Sequence, residues 1–104
     1  MKDRPYDEGI AEAFRKDPGL AAELLTEILE DGDQGELLLV LRQVALAQGG
    51  LQKIAEKAEV NSTHIYRTLS ETGNPDLRTF RAILNALGFR LTVKPSEQLA
   101  TVAK

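Results

Sequence analysis

The feature that most constrains this chain is its punctuation: helix starts and stops recur along it, and between them apolar residues return at spacings of three and four. Asp17-Pro18 opens a helix. Asp offers a side-chain cap, and Pro suits the first helical position because its missing N–H is not needed there. Leu20, Leu24 and Ile28, with Ala21 and Leu25, then line one face, and Asp31-Gly32 ends it. A short helix over residues 8–16 precedes it. The next runs from about Gln34 to Gln48 with a broad face of Leu37, Leu38, Leu41, Val44, Ala45 and Ala47, and Gly49-Gly50 stops it. Leu51 to Ala58 follows, then a helix from Ser62 to about Glu71 capped by Asn61. Thr72-Gly73-Asn74-Pro75 breaks the chain. Asn74 as cap, Pro75 at the first position and Asp76 in the first turn predict a helix carrying Leu77, Phe80, Ile83, Leu84 and Leu87, stopped by Gly88. The expected fold class is all-α.

One stretch changes period. Phe89, Leu91 and Val93 alternate with Arg90, Thr92 and Lys94 before Pro95, which predicts a half-buried strand. A lone strand leaves its backbone groups unpaired. Its expected partner is the same strand of a second copy, antiparallel about a two-fold axis. The alternative is an extended tail packed on the last helix.

Composition narrows the function. The chain has 104 residues, which suits one domain, and aromatics make up only 5%. A core that light is marginal for one chain, which again points to a homodimer or another partner. There is no Cys and one His, so disulfides, thiolate sites and structural zinc are excluded. No Gly-rich phosphate loop and no His–carboxylate pair at recognisable spacing is present, so no enzyme, cofactor or metal is expected. No apolar run approaches a membrane span, and the start MKDRPYDEG is not a signal peptide. The expectation is a soluble cytoplasmic protein with no membrane association.

Net charge is −3 and the pI about 5.1, which at first argues against nucleic acid. The distribution is uneven. Residues 1–35 hold four basic against ten acidic residues, a net of −6, and residues 36–104 hold nine against six, a net of +3. Two surfaces with different partners would produce this split, as would charge that merely solubilises.

Residues 51–71 carry the most specific pattern. Two short helices joined by a tight turn within a helical bundle make a helix-turn-helix. Ala55 is small where the second helix crosses, and Ile54, Ala58, Val60 and Ile65 fill the inner side. The second helix then presents its N-terminal end outward. Short polar groups there fit a major groove, and Arg67 reaches a guanine edge.

At these residues the chain resembles the lambda-repressor-like, Cro-type helix-turn-helix of the xenobiotic-response-element group. The resemblance rests on Ala55, Val60, Asn61, Ile65, the Gly73-Asn74-Pro75 turn and the ending Ala86-Leu87-Gly88. More narrowly, Tyr6-Asp7, Asp17-Pro18, LLLVLRQVALAQGG and IYRTLSETGNPDLRTFRAILNALGFRLTVKP resemble the probable addiction-module antidote proteins, HigA-like antitoxins of type II toxin–antitoxin pairs. The resemblance covers residues 5 to 95. Two positions depart from it. Glu59 stands where the turn needs φ > 0 and normally has Gly, at a cost of about 1 kcal/mol. Thr68 stands where a larger apolar residue is usual. Both departures imply altered packing or crossing angle.

The resemblance implies an acidic, toxin-contacting helical segment over 1–33, a DNA-binding domain with its C-terminal strand over 34–95, and a tail over 96–104. It implies a protein that neutralises a basic, RNA-cleaving toxin and represses its own operon as a homodimer on palindromic double-stranded operator DNA. Base-edge candidates are Ser62, Thr63, His64 and Arg67. Phosphate candidates are Gln52, Lys53, Tyr66, Asn74 and Arg78, with Arg81 beside them. Asn74 is favoured as a cap, His64 equally suits a plain polar position, and Tyr66 equally suits the edge of the core. Toxin contacts fall to Tyr6, Ile10 and Phe14, and the dimer strand to Phe89, Leu91 and Val93. Two other readings stay open: a stand-alone helix-turn-helix regulator, and a protein-binding module without DNA affinity.

Overall fold

The computed structural model of the chain describes residues 5–96, with side chains from residue 8 onward. Six helices account for its regular structure: α1 (Pro5–Lys16), α2 (Pro18–Asp31), α3 (Gln34–Ala47), α4 (Leu51–Ala58), α5 (Ser62–Thr68) and α6 (Leu77–Ala86). The all-α expectation holds among these residues. α3 is the central element: α1 and α2 pack on one side of it, and α4 joins it to the α5 and α6 end. One core runs through all of this. Leu38, Leu41, Ile54, Ile65, Leu69 and Ile83 are its fully buried large side chains, together with Val44. Each such side chain contributes about 1.5–3 kcal/mol by leaving water.

The first two long helices start as their sequence dictates. Asp17 caps α2, its carboxylate accepting from the Gly19 N–H at 3.1 Å, with Pro18 following. Asp33 caps α3 through a reciprocal pair: its carboxylate accepts from the Glu36 N–H at 2.8 Å, and Glu36 accepts from the Asp33 N–H at 3.3 Å. On α2, Ala21, Leu25 and Ile28 face the core, while Leu24 is half-buried and Leu20 is exposed. The inner face is therefore narrower than the apolar spacing suggests.

Three helices end by one device. After α3, α4 and α6 the chain turns through a left-handed residue: Gly49 (φ 113°), Glu59 (φ 58°) and Gly88 (φ 94°). The next residue then donates its N–H back five positions. Gly50 reaches the Ala45 carbonyl at 2.8 Å, Val60 that of Ala55 at 2.9 Å, and Phe89 that of Leu84 at 2.8 Å. This closure satisfies carbonyls that the helix leaves unpaired. Glu59 is the one non-glycine among the described residues to hold this conformation.

Two boundaries differ from expectation. α5 stops at Thr68 rather than near Glu71. The Arg42 guanidinium donates to the Leu69 carbonyl, the Ser70 hydroxyl donates to the Arg67 carbonyl at 2.8 Å, and the Gly73 N–H donates to the Ser70 carbonyl at 2.9 Å. These bonds consume the groups that another helical turn would use. Gly73 is also required sterically, since a Cβ there would lie 1.9 Å from the Thr68 carbonyl oxygen. The cap of α6 is Asp76, not Asn74: Asp76 accepts from the Thr79 N–H at 2.8 Å, and Pro75 lies before the cap. Asn74 is engaged elsewhere, accepting from Gln34 Nε2 at 3.1 Å.

The alternation over residues 89–94 forms no strand in the single chain, and no strand occurs among the described residues. Phe89 is half-buried against the core, and Leu91 and Val93 are exposed. The expected tail over 96–104 lies outside the described residues beyond residue 96.

Two outcomes test these local arguments. Glu59→Gly relieves left-handed strain of about 1–2 kcal/mol against a smaller gain in unfolded-chain entropy, so it raises unfolding free energy by about 0.5–1 kcal/mol in denaturant melts. The Asp76 carboxyl is held below its ordinary value, first by the Thr79 backbone N–H, then by the Thr79 hydroxyl, with smaller help from the charges of His64 and Arg78. A depressed carboxylate stabilises the fold above the unfolded pKa and loses that effect as pH falls through the folded one. Asp76→Ala therefore lowers the melting temperature at neutral pH, and the difference from the parent narrows on acidification below about pH 4.

Candidate functional site

α5 is a seven-residue helix with little to bury. Ile65 and Thr68 are its buried positions, and Leu69 caps it from within the core. Ser62, Thr63, His64, Tyr66 and Arg67 are exposed as a consequence. Both ends are fixed. The Asn61 side chain accepts from the His64 N–H at 3.1 Å, and Arg42 of α3 holds the Leu69 carbonyl at the other end. A short helix gains little stability by itself, so these anchors and the buried Ile65 set its position.

The base-edge candidates are thus brought together on one exposed helix, with one distinction. The His64 ring turns along the helix, with Nε2 3.4 Å from the Thr68 hydroxyl, and its charge contributes to the field at Asp76 of α6. His64 is thus turned back along α5, whereas the side chains of Ser62, Thr63 and Arg67 have no such engagement. Among the described residues no carboxylate lies within ion-pair distance of Arg67. Tyr66 is 54% exposed, so it does not cover the edge of the core.

α4 begins at Gly50 without any side-chain cap. Its first N–H groups keep their partial positive charge. Gln52 and Lys53 are exposed in that same turn. The Lys53 stem lies across Gly49, where a Cβ would come within 2.7 Å of its Cδ. Arg78 and Arg81 are exposed on the first two turns of α6. Asn74 is exposed in the preceding loop, with its amide held by Gln34.

Sequence reasoning missed three tethers from α3. Gln34 donates to the Gly73 carbonyl at 3.2 Å as well as to Asn74, Arg42 donates to Leu69, and Gln48 donates to the Leu87 carbonyl at 2.8 Å. Each is a polar side chain reaching a backbone oxygen 27 to 39 positions away, and no local pattern announces such a contact. The Asp33–Glu36 cap was missed as well, although its spacing of three was a local signal that could have found it.

At the N-terminal side, Phe14 is only 4% exposed and belongs to the core, so it fastens α1 to the bundle. Ile10 is half-buried against the same core. The side chain of Tyr6 lies outside the described residues. Arg15 ties α1 to the end of α3, donating to the Ala47 carbonyl at 3.0 Å and pairing with Glu12 at 2.7 Å. Beside Ile10, α1, α2 and α3 enclose an open groove of about 350 Å³. No grouping of His, Cys, Asp and Glu suited to a metal occurs among the described residues, and no described helix is long and apolar enough to cross a membrane.

Comparison with known proteins places these features in a family. Residues 7–95 match the family described as "Probable addiction module antidote protein". The chain is similar to an uncharacterized protein of Haemophilus influenzae, 32% identical over 72 residues that span 69% of this chain and 73% of that one. No solved structure matches the chain. The family match takes in all six helices except the first two residues of α1, and the chain belongs to the probable addiction module antidote proteins.

Proposed function

We propose that this protein is the antitoxin of a type II toxin–antitoxin module, of HigA-like type, and that it acts through two surfaces. One neutralises a basic, RNA-cleaving toxin by direct binding. The other represses the module's own operon by placing α5 in the major groove of a palindromic operator. Family membership supports the first role in general terms. The observation that carries the second is α5 itself, a short helix clamped at both ends whose outward residues are small and polar around one unpaired Arg67.

In this reading α4 and α5 form a lambda-repressor-like, Cro-type helix-turn-helix, with the left-handed Glu59 at its turn. Ser62, Thr63 and Arg67 meet base edges, and Arg67 offers the bidentate donor that guanine selects. His64 stands at the margin, held by Thr68. Gln52 and Lys53 with the uncapped N–H groups of α4 receive a phosphate, and Tyr66, Asn74 and Arg78 flank the backbone path. Such contacts fix register, while α5 reads sequence.

Operator palindromy requires a two-fold dimer. The segment 89–94 supplies a means. Val93 is 95% exposed and Leu91 37% exposed in the single chain. Antiparallel pairing of Phe89, Leu91 and Val93 with a second copy satisfies the backbone and covers both side chains. The domain division follows: residues 1–33 serve the toxin, and residues 34–95 serve DNA and dimer.

The acidic pI favours one competing reading, a protein-binding module without DNA affinity. A gel shift on the DNA upstream of the gene, at low and moderate salt, separates the two. The expected result is a specific shift that weakens as salt rises and is lost in Arg67→Ala, with the variant's melting temperature unchanged. No shift at any salt removes the repressor role. For the dimer, sedimentation at micromolar concentration is expected to give twice the chain mass for the parent and the single-chain mass for Val93→Asp. An unchanged mass in the variant excludes the strand pairing.

A further inference from the structure

We infer that the groove between α1, α2 and α3 is the docking site for a basic amphipathic helix of the toxin. The inference rests on the antitoxin reading above and goes beyond it by naming the surface and the kind of segment that fills it.

The groove is apolar on its walls. Leu20 and Leu24 come from successive turns of α2, and Leu39 comes from α3. Leu20 is 40% exposed and Leu39 is 39% exposed, so two large apolar side chains line the groove with much of their surface open to solvent. The floor is the packed core, at Phe14 and Ile28. Every ionisable residue lining it is a carboxylate: Glu23 and Glu27 along α2, and Glu36 on α3. No Lys or Arg of the described residues takes part, although Arg15 and Lys16 lie on the same helix as the groove's α1 wall.

That combination defines the occupant. Apolar walls with a rim of one sign of charge fit a segment that is apolar on one side and basic on the flanks. The walls are helices whose backbone groups are already bonded internally, so the groove offers no free edge for strand addition. The recurrent mode that fits apolar walls between helices is an amphipathic helix laid into the groove, anchored by side chains at spacings of three and four. Glu23 and Glu27, four residues apart, stand one turn from each other on α2 and face basic residues of similar helical spacing on the partner. Glu36 is partly committed, since Oε1 accepts from the Asp33 N–H. Glu23 and Glu27 have no bond to other described residues.

The test uses the full chain and the purified product of the adjacent reading frame, measured by calorimetry at low and moderate salt. The parent is expected to bind, more weakly as salt rises. The double variant Glu23→Lys/Glu27→Lys is expected to lose more than about tenfold in affinity, and Leu39→Glu a comparable amount. Arg67→Ala, on the other surface, is expected to bind as the parent does. Circular dichroism melts matching the parent certify each variant as folded, and Leu20→Gln replaces Leu39→Glu if that variant melts early. A parent that binds while both kinds of groove variant keep full affinity overturns the docking site and leaves the antitoxin reading intact. A parent that binds nothing overturns the antitoxin reading and this inference together.

Discussion

The structure depends on the burial of α3. Leu38, Leu41, Val44 and Ala45 place it in the middle of the core, and it is the element against which α1, α2 and α4 are laid. Its polar residues are then available for contacts with distant backbone. Gln34, Arg42 and Gln48 bind the loop before α6, the end of α5 and the end of α6. A hydrogen bond to an unpaired helix-end carbonyl adds about 1 kcal/mol and also selects one geometry. Without it, a seven-residue α5 with two buried positions would have several acceptable placements on the core. The presentation of Arg67 to a partner thus has its origin in α3, through Arg42 and the buried Ile65.

The same helix also serves the other surface. Leu39 and Glu36 face the groove, and Arg42, one turn from Leu39, reaches α5. Positions one turn apart on one helix therefore serve different neighbours, Leu39 at the groove and Arg42 at the end of α5. This is a geometric outcome of packing neighbours on both sides of α3. It means that a change which tilts α3 acts on both surfaces, while a change confined to Glu23 or to Arg67 acts on one.

How much of this was legible in the sequence follows from the range of each interaction. Caps and stops act over three to five residues, so Asp17-Pro18, Asn61, Gly49-Gly50 and Gly88 could be read directly. The left-handed Glu59 was legible too, because the turn demands a positive φ whatever residue stands there. Asn74 was misjudged for a related reason: Asn74 and Asp76 both suit a cap, and the choice was decided by Gln34, forty residues away. That Phe14 packs into the core was not legible, because an aromatic on an amphipathic helix gives no sign of which neighbour will cover it. The segment 89–94 carries a period of two, yet pairing needs a second strand that one chain does not contain. The exposed face of α5 was legible because so few of its residues are apolar.

Net charge is a poor guide to what such a molecule can bind. At physiological salt a surface charge is screened beyond about 8 Å, so a partner senses the groups near its own contact. Over residues 51–90 six basic residues stand against four acidic ones. Of those four, Asp76 has its carboxylate turned onto the Thr79 N–H, and Glu59 sits at the turn. The acidic excess lies in residues 1–35, of which Glu23 and Glu27 line the groove. The net charge of −3 is then the sum of two local fields of opposite sign, a basic one around α4 to α6 and an acidic one along the N-terminal helices. The acidic total measures the larger size of the second field and carries no information about the first.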